Sequence, residues 1–242
     1  MAPEGNVLAL VARYPRPGTV KTRLAADLGV EPAHALYCAF LRDLAERLAD
    51  GPWQVHWLFT PADAPFAAWL GPGCSATPQC GPSLNLRLLN GFRSLRGRYE
   101  RVMIMSTDSP QVAPDWVARG FALLDRHDVV LGPCDDGGYY LVGMRASRDI
   151  FSGITMSTPT VLEETLALAR RRGLSTALLQ RTFDVDDLAG LTALRHWLAG
   201  HEHELPRTRA LCGPECSRRL SGCPVGDAAV ASPARGAPRT AP

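Results

Sequence analysis

Val7-Leu-Ala-Leu-Val-Ala12, followed at once by Arg13-Tyr-Pro-Arg-Pro-Gly-Thr-Val-Lys-Thr-Arg23, sets the class of fold. An unbroken apolar run of this length is what a strand buried on both faces requires, as in a parallel sheet covered by helices. The loop behind it carries four cations and no acid, and two prolines and a glycine shape it. It is not a P-loop, because Val20 stands where a glycine should precede the lysine. Concentrated positive charge with backbone donors at the carboxyl end of a strand suits a diphosphate or triphosphate. Taken alone, the segment reads equally as a solvated basic loop.

Lys21 is the only lysine in the chain, against 25 arginines. Composition therefore favours arginine wherever either cation serves. The two residues are interchangeable on most surfaces but not at a phosphate or a reacting centre. That makes the surviving lysine a candidate site residue before any motif is considered.

Outward from this stretch, strand-like and helix-like segments alternate. Residues 31–49 place Ala35, Leu36, Ala39, Phe40, Leu44 and Leu48 on one helical face, with Asp43 on the polar side. Trp53–Phe59 reads as a strand, 84–95 as an amphipathic helix and Val102–Met105 as a buried strand. Pro114 opens a helix to about Leu124, as proline in a first turn does. Strands at 129–131 and 139–142 flank Asp135-Asp136-Gly137-Gly138, a hairpin signal that implies an antiparallel portion. A helix at 159–171, a strand at 176–179 and a helix at 187–199 complete the pattern. The expected architecture is α/β in three layers, α/β/α, around a mostly parallel sheet. In such sheets ligands bind beyond the carboxyl ends of strands, so the loops after 7–12, 102–106 and 129–133 are the places to look.

The domain is expected to span residues 1–209. Residues 210–242, rich in Ala, Pro, Gly, Ser and Arg without period, read as a flexible tail. Within it, Cys212, Cys216 and Cys223 near His201 and His203 make a weak zinc pattern. A formal charge of +2 gives no global reason to expect nucleic acid or a membrane as partner. No apolar run approaches spanning length, and seven cysteines without a secretory signal fit reduced thiols. A soluble, cytoplasmic protein is expected.

Three further segments carry chemistry. Met105-Ser-Thr-Asp-Ser-Pro110 puts an acid just beyond a buried strand, where it would hold a divalent cation or cap a turn. Cys134-Asp-Asp-Gly-Gly-Tyr-Tyr140 supplies two acids and two tyrosines beyond what a hairpin needs. In Phe183-Asp-Val-Asp-Asp187 one acid caps the last helix, and Asp184 or Asp186 is left as a second metal ligand. Gly71-Pro-Gly-Cys-Ser-Ala76 matches a dinucleotide fingerprint loosely but follows no strand and opens no helix. Cys134 has no base partner and reads as a small packing residue.

Together these residues resemble the GT-A-fold proteins once grouped as a domain of unknown function, DUF2064, and often labelled glycosyltransferases. The carrying motifs are residues 16–24 (Arg-Pro-Gly-Thr-Val-Lys-Thr-Arg-Leu), 107–110 (Thr-Asp-Ser-Pro), 128–143, 157–162 (Ser-Thr-Pro-Thr-Val-Leu) and 184–188 (Asp-Val-Asp-Asp-Leu), in the family's order. The family is also similar to guanylyltransferases of deazaflavin-cofactor biosynthesis and to molybdenum-cofactor nucleotidyltransferases. The resemblance implies a Rossmann-like nucleotide-diphospho-sugar transferase fold. It implies a nucleotide or nucleotide-sugar donor, a small-molecule acceptor and Mg²⁺ or Mn²⁺. Arg13, Gly18, Lys21, Thr22 and Arg23 would bind donor phosphates, and Asp108 with Asp184 or Asp186 would hold the metal. Asp135, Asp136, Gly137 and Gly138 would face the acceptor, with Lys21 and Asp108 catalytic. Two residues depart from the pattern: Ser83 stands where the family carries an acid, and Arg13 where a lysine is common. Sugar transfer, nucleotidylyl transfer and nucleotide binding without turnover all remain open at this point, with sugar transfer favoured by the family label.

Overall fold

The opening apolar run lies at the heart of a seven-stranded sheet. In the computed structural model, which describes residues 4–212, β1 (Glu4–Arg13) pairs in parallel with β2 (Gln54–Thr60) on one side and β4 (Tyr99–Ser106) on the other. β3 (Ser75–Pro78) extends the sheet beyond β2. On the far side β6 (Tyr139–Met144) runs antiparallel to both β4 and β5 (Val129–Pro133), and β7 (Thr176–Leu178) pairs in parallel with β5. The order is therefore β3-β2-β1-β4-β6-β5-β7. The hairpin expected at 135–138 is the source of the antiparallel strand.

Side chains alternate across β1 and supply two cores. Leu8, Leu10 and Ala12 pack with α1 (Thr22–Leu28), α2 (Val30–Arg47), α3 (Phe66–Leu70), α5 (Pro114–Leu123), α7 (Leu188–Ala199) and α8 (Pro206–Cys212). Val7 and Ala9 pack with α4 (Leu84–Arg96) and α6 (Val161–Arg171). Both faces of the central strand are dry, which explains its lack of polar alternation. Among the described residues no helix is long and apolar enough to cross a membrane.

The strand order creates the site. From β1 the chain steps outward through β2 to β3, then returns to the opposite side of β1 to lay down β4. The loops leaving β1 and β4 thus diverge and open a crevice between them, the switch point at which open α/β sheets bind ligands. Thr107 Oγ1 bonds the carbonyl of Val11 across this point at 3.1 Å, and Gln79 Nε2 bonds those of Ala12 and Leu58 at 3.3 and 2.8 Å.

The structure departs from the sequence reading at several points. Residues 22–28 form a helix too short to show a period, held by Leu24, which is wholly buried. Residues 75–78, for which the sequence showed no element, form the edge strand β3, entered through the positive-φ glycines Gly71 and Gly73. Helix α8 runs to Cys212, so it enters the segment read as tail, and the remainder of that segment, with Cys216 and Cys223, lies outside the described residues. Asp43, read as polar-side, is buried: its carboxylate accepts the backbone N–H groups of Arg207 and Thr208 at 3.3 and 2.8 Å. An acid in α2 thereby satisfies the first turn of α8, whose N–H groups have no partner within the helix.

Replacing Asp43 with Ala strands a buried N–H and should cost about 1–3 kcal/mol in urea unfolding. Arg207→Ala, which removes only a half-exposed partner, should cost under about 1 kcal/mol. Equal losses would mean the ion pair, rather than the buried cap, joins the two helices.

Candidate active site

Three loops meet in the crevice. The first leaves β1 and curls back on itself, with Arg13 Nη1 bonding the carbonyl of Thr19 at 3.0 Å. It ends at Lys21, whose backbone is left-handed (φ 48°) and which caps the entry to α1. The second leaves β4 and carries Asp108, whose Oδ2 accepts from Ser106 Oγ at 2.9 Å. The third precedes α7 and carries Asp184 and Asp186. Its next residue, Asp187, accepts from Gly190 N–H at 2.9 Å and is the helix cap expected there.

The Lys21 ammonium joins all three. It donates to Asp108 Oδ1 and, at 2.8 Å, to Asp186 Oδ1. Its side chain is 3% exposed, while those of Asp108 and Asp186 are 37% and 49% exposed. Tyr37 and Phe40 of α2 wall it in, with ring centres 5.8 and 5.7 Å from Nζ. Burial disfavours the ammonium charge, but Asp108 and Asp186 outweigh that cost and hold it above the ordinary lysine range. Burial likewise works against an ionised Asp108, and Lys21 overrides it, holding the carboxyl below its usual range. The charged pair is mutually sustained. The Tyr37 hydroxyl grips the base of the loop, accepting from Arg13 N–H at 3.0 Å and donating to its carbonyl at 3.2 Å.

Asp184 lies beside this arrangement in a different state. It accepts from Ser109 Oγ and Cys134 Sγ, at 2.5 and 3.1 Å. Burial, reinforced by the neighbouring Asp108 and Asp136, pushes its carboxyl up to about 6. Cys134 is pushed well above the ordinary thiol range by burial and by Asp184, so it is a protonated donor rather than a nucleophile. Cys134 Sγ and carboxylate oxygens of Asp136 and Asp184 lie within 4.8 Å of one another. The carboxylate oxygens of Asp136 and Asp184 are donors an oxygen-preferring divalent cation takes, and Asp108 and Asp186 add two more carboxylates to the wall of the same cavity, so the residue types fit such an ion.

The loops open onto a cavity of about 540 Å³, within the usual size for a small-molecule site. Of the residues singled out from the sequence, Arg13, Lys21, Thr22, Arg23, Asp108, Asp136, Gly138, Asp184 and Asp186 line it. Gly18, Asp135 and Gly137 are not among the lining residues. Gly18 (φ 75°) only shapes the loop. Asp135 is exposed and donates its N–H to the Thr182 carbonyl. Gly137 (φ 87°) is needed because an added Cβ would sit 1.9 Å from the Pro159 carbonyl oxygen. Ser83 caps α4, accepting from Leu86 N–H, and is not a lining residue. Tyr37, Gln79, Ser157 and Thr158 line the cavity although the sequence assigned them no role. The motif at 157–162 carried a signal for Ser157 and Thr158.

The family model described as "Uncharacterized protein conserved in bacteria (DUF2064)" matches residues 43–158. A solved structure from Desulfovibrio desulfuricans G20, provisionally named a nucleotide-diphospho-sugar transferase, is 30% identical, with a TM-score of 0.82 over 89% of this chain and 97% of that one. The chain belongs to the DUF2064 family. Its fold is that of the nucleotide-diphospho-sugar transferases. Two more distant structures share the fold alone. A cytidylyltransferase from Leptospira borgpetersenii serovar Hardjo-bovis is 12% identical, with a TM-score of 0.53 over 86% of this chain and 93% of that one. A Methanothermobacter nucleotidyl transferase is 16% identical, with a TM-score of 0.52 over 81% and 98%. No curated protein sequence matches the chain significantly.

Asp184 gives the site a pH signature. Its folded value, about 6, lies above the ordinary 3.8, so its contribution to stability is complete below about 4 and is lost as pH rises through about 6. With divalent ions chelated, Asp184→Asn should match the wild type near pH 4 and exceed it by something on the order of 2 kcal/mol at pH 8. Urea titrations across that range measure the gap, and a gap that does not widen with pH would contradict the burial of Asp184.

Proposed function

We propose that this chain is a metal-dependent, nucleotide-using transferase that moves a sugar from a nucleotide-sugar donor to a small acceptor. The observation that carries this reading is Lys21 held between Asp108 and Asp186 at the switch point of the sheet. One cation and two carboxylates on a cavity wall are the parts needed to bind a metal–diphosphate. Sugar transfer is favoured because the 30%-identical relative bears a nucleotide-diphospho-sugar transferase name.

In this reading Arg13, Thr22 and Arg23 meet the donor phosphates at the cavity rim and Lys21 meets them at its base. Gly18 sets the curl of the loop that presents these groups. Asp108, Asp184 and Asp186 hold Mg²⁺ or Mn²⁺, with Asp136 at the edge of the set. The cation, when bound, neutralises charge on the leaving diphosphate. Asp136 and Gly138 face the acceptor, while Asp135 and Gly137 support that turn from behind. With Cys134 protonated, no covalent nucleophile is needed, and catalysis consists of positioning and electrostatic stabilisation. No disulfide joins the described cysteines, which suits a reducing compartment, and we place the enzyme in the cytoplasm.

A second reading rests on the loop itself. Four cations directly after the first strand would serve equally well for attack on an α-phosphate, with release of pyrophosphate. The products separate the two: a nucleoside diphosphate from sugar transfer, pyrophosphate from nucleotidylyl transfer.

A thermal-shift panel of nucleoside triphosphates and nucleotide sugars, each with and without Mg²⁺ or Mn²⁺, should show stabilisation by a nucleotide sugar that depends on the metal. Stabilisation by triphosphates alone would transfer the assignment to nucleotidylyl transfer, and no response to any of them would defeat both. Against the responding donor, Asp108→Asn and Lys21→Arg should each lower kcat by about 10²-fold. The arginine retains the charge but not the compact ammonium on its flexible stem. Wild-type turnover in Lys21→Arg would remove that residue from the reaction.

A further inference from the structure

The Lys21 ammonium has three N–H donors, and two are taken by Asp108 and Asp186. The aromatic walls of Tyr37 and Phe40 enclose it from the α2 side. Asp108 and Asp186 are far more exposed than the ammonium they hold, so the carboxylates form the face presented to the cavity and the cation lies behind them. A phosphate entering alone meets Arg13 and Arg23 at the rim but finds the lysine at the base already committed to two carboxylates. A divalent cation entering alone meets the carboxylates, but their inner oxygens are occupied. Neither half of a metal–diphosphate is therefore received well by itself.

We propose that Lys21 occupies the cation position between Asp108 and Asp186 in the ligand-free chain, and that the divalent ion arriving with the donor displaces it onto the phosphate. Loading the metal and capturing the phosphate are then one exchange. The carboxylates trade a single positive charge for a double one, and the released ammonium trades two carboxylates for phosphate oxygens. Such an exchange couples the two ligands reciprocally, each raising the affinity for the other. It also accounts for the sole lysine in an arginine-rich chain. The exchange needs a compact charge on a flexible stem that pivots about a fixed Cα, and the planar guanidinium fork is poorly suited to it. The left-handed backbone at Lys21 and the burial of Leu24 anchor that pivot at the start of α1.

The proposal rests on the metal-dependent reading above, and the test separates the two. Mn²⁺ binding is measured on the full chain without nucleotide, following free Mn²⁺ by electron paramagnetic resonance. Lys21→Met keeps the length of the stem and its contact with Tyr37 and Phe40 but vacates the position, and it should bind Mn²⁺ at least about ten-fold more tightly than the wild type. Arg23→Met removes one charge from the same cavity without touching the carboxylates, and it should change the affinity no more than about three-fold. Equal affinity in the wild type and Lys21→Met would overturn the exchange while leaving metal binding intact, as would equal gains in the two variants. Absence of Mn²⁺ binding in every protein, with or without nucleotide, would defeat the metal-dependent reading and the exchange together. Circular dichroism checks that Lys21→Met is folded. If it is not, Lys21→Gln takes its place with the same ten-fold expectation and the same overturning results.

Discussion

A buried ammonium can exist here only because two carboxylates arrive from distant parts of the chain to meet it. Asp108 and Asp186 lie 87 and 165 residues from Lys21 in sequence, and each belongs to a different loop. Any one of these groups placed alone at this depth would be costly. Together they convert three loop ends into one connected floor, with Ser106, Tyr37 and the helix entry at Lys21 holding the members in place. The remainder of the site is arranged around that floor.

The sheet order makes the meeting geometrically possible. Because β1 and β4 are parallel neighbours whose connections leave toward opposite sides, their carboxyl ends face a crevice that no connecting segment fills. The antiparallel β6 brings the 135–138 turn to the same end of the sheet. Asp184 is placed there by Ser109, Cys134 and the backbone bond from Val185 N–H to the Asp108 carbonyl at 2.8 Å. Two kinds of carboxyl result within one cavity: Asp108, kept ionised by the lysine, and Asp184, raised by burial. Asp184 therefore gains its charge only as pH rises through about 6, whereas Asp108 is already charged below that.

Much of the fold was legible in the sequence because its long elements carry strong periods. The continuous apolar run of β1, the helical spacing of α2 and α4, Pro114 at the start of α5 and the Asp-Gly turn each state a local preference that tertiary packing retains. The short elements α1, α3 and β3 were not legible, since four to seven residues hold too few positions to display a period. Asp43 was misread for a different reason. Its place on α2 is polar in pattern, and only the docking of α8 against it turns an apparently solvent-facing acid into a buried cap.

For the site, the sequence by itself determined the cast: a single lysine after the first strand, an acid after β4, and a pair of acids before the last long helix. Residue type and position relative to a strand end are local properties, and local chemistry makes such residues candidates for phosphate and metal. Only the tertiary structure decided how they are paired. Lys21 is bound to Asp108 and Asp186 rather than standing open, Asp184 turns instead toward Cys134 and Asp136, and Asp135 is exposed and does not line the cavity. These pairings depend on distances between loops that are remote in sequence. Those distances are set by strand order and helix packing, which no local pattern encodes.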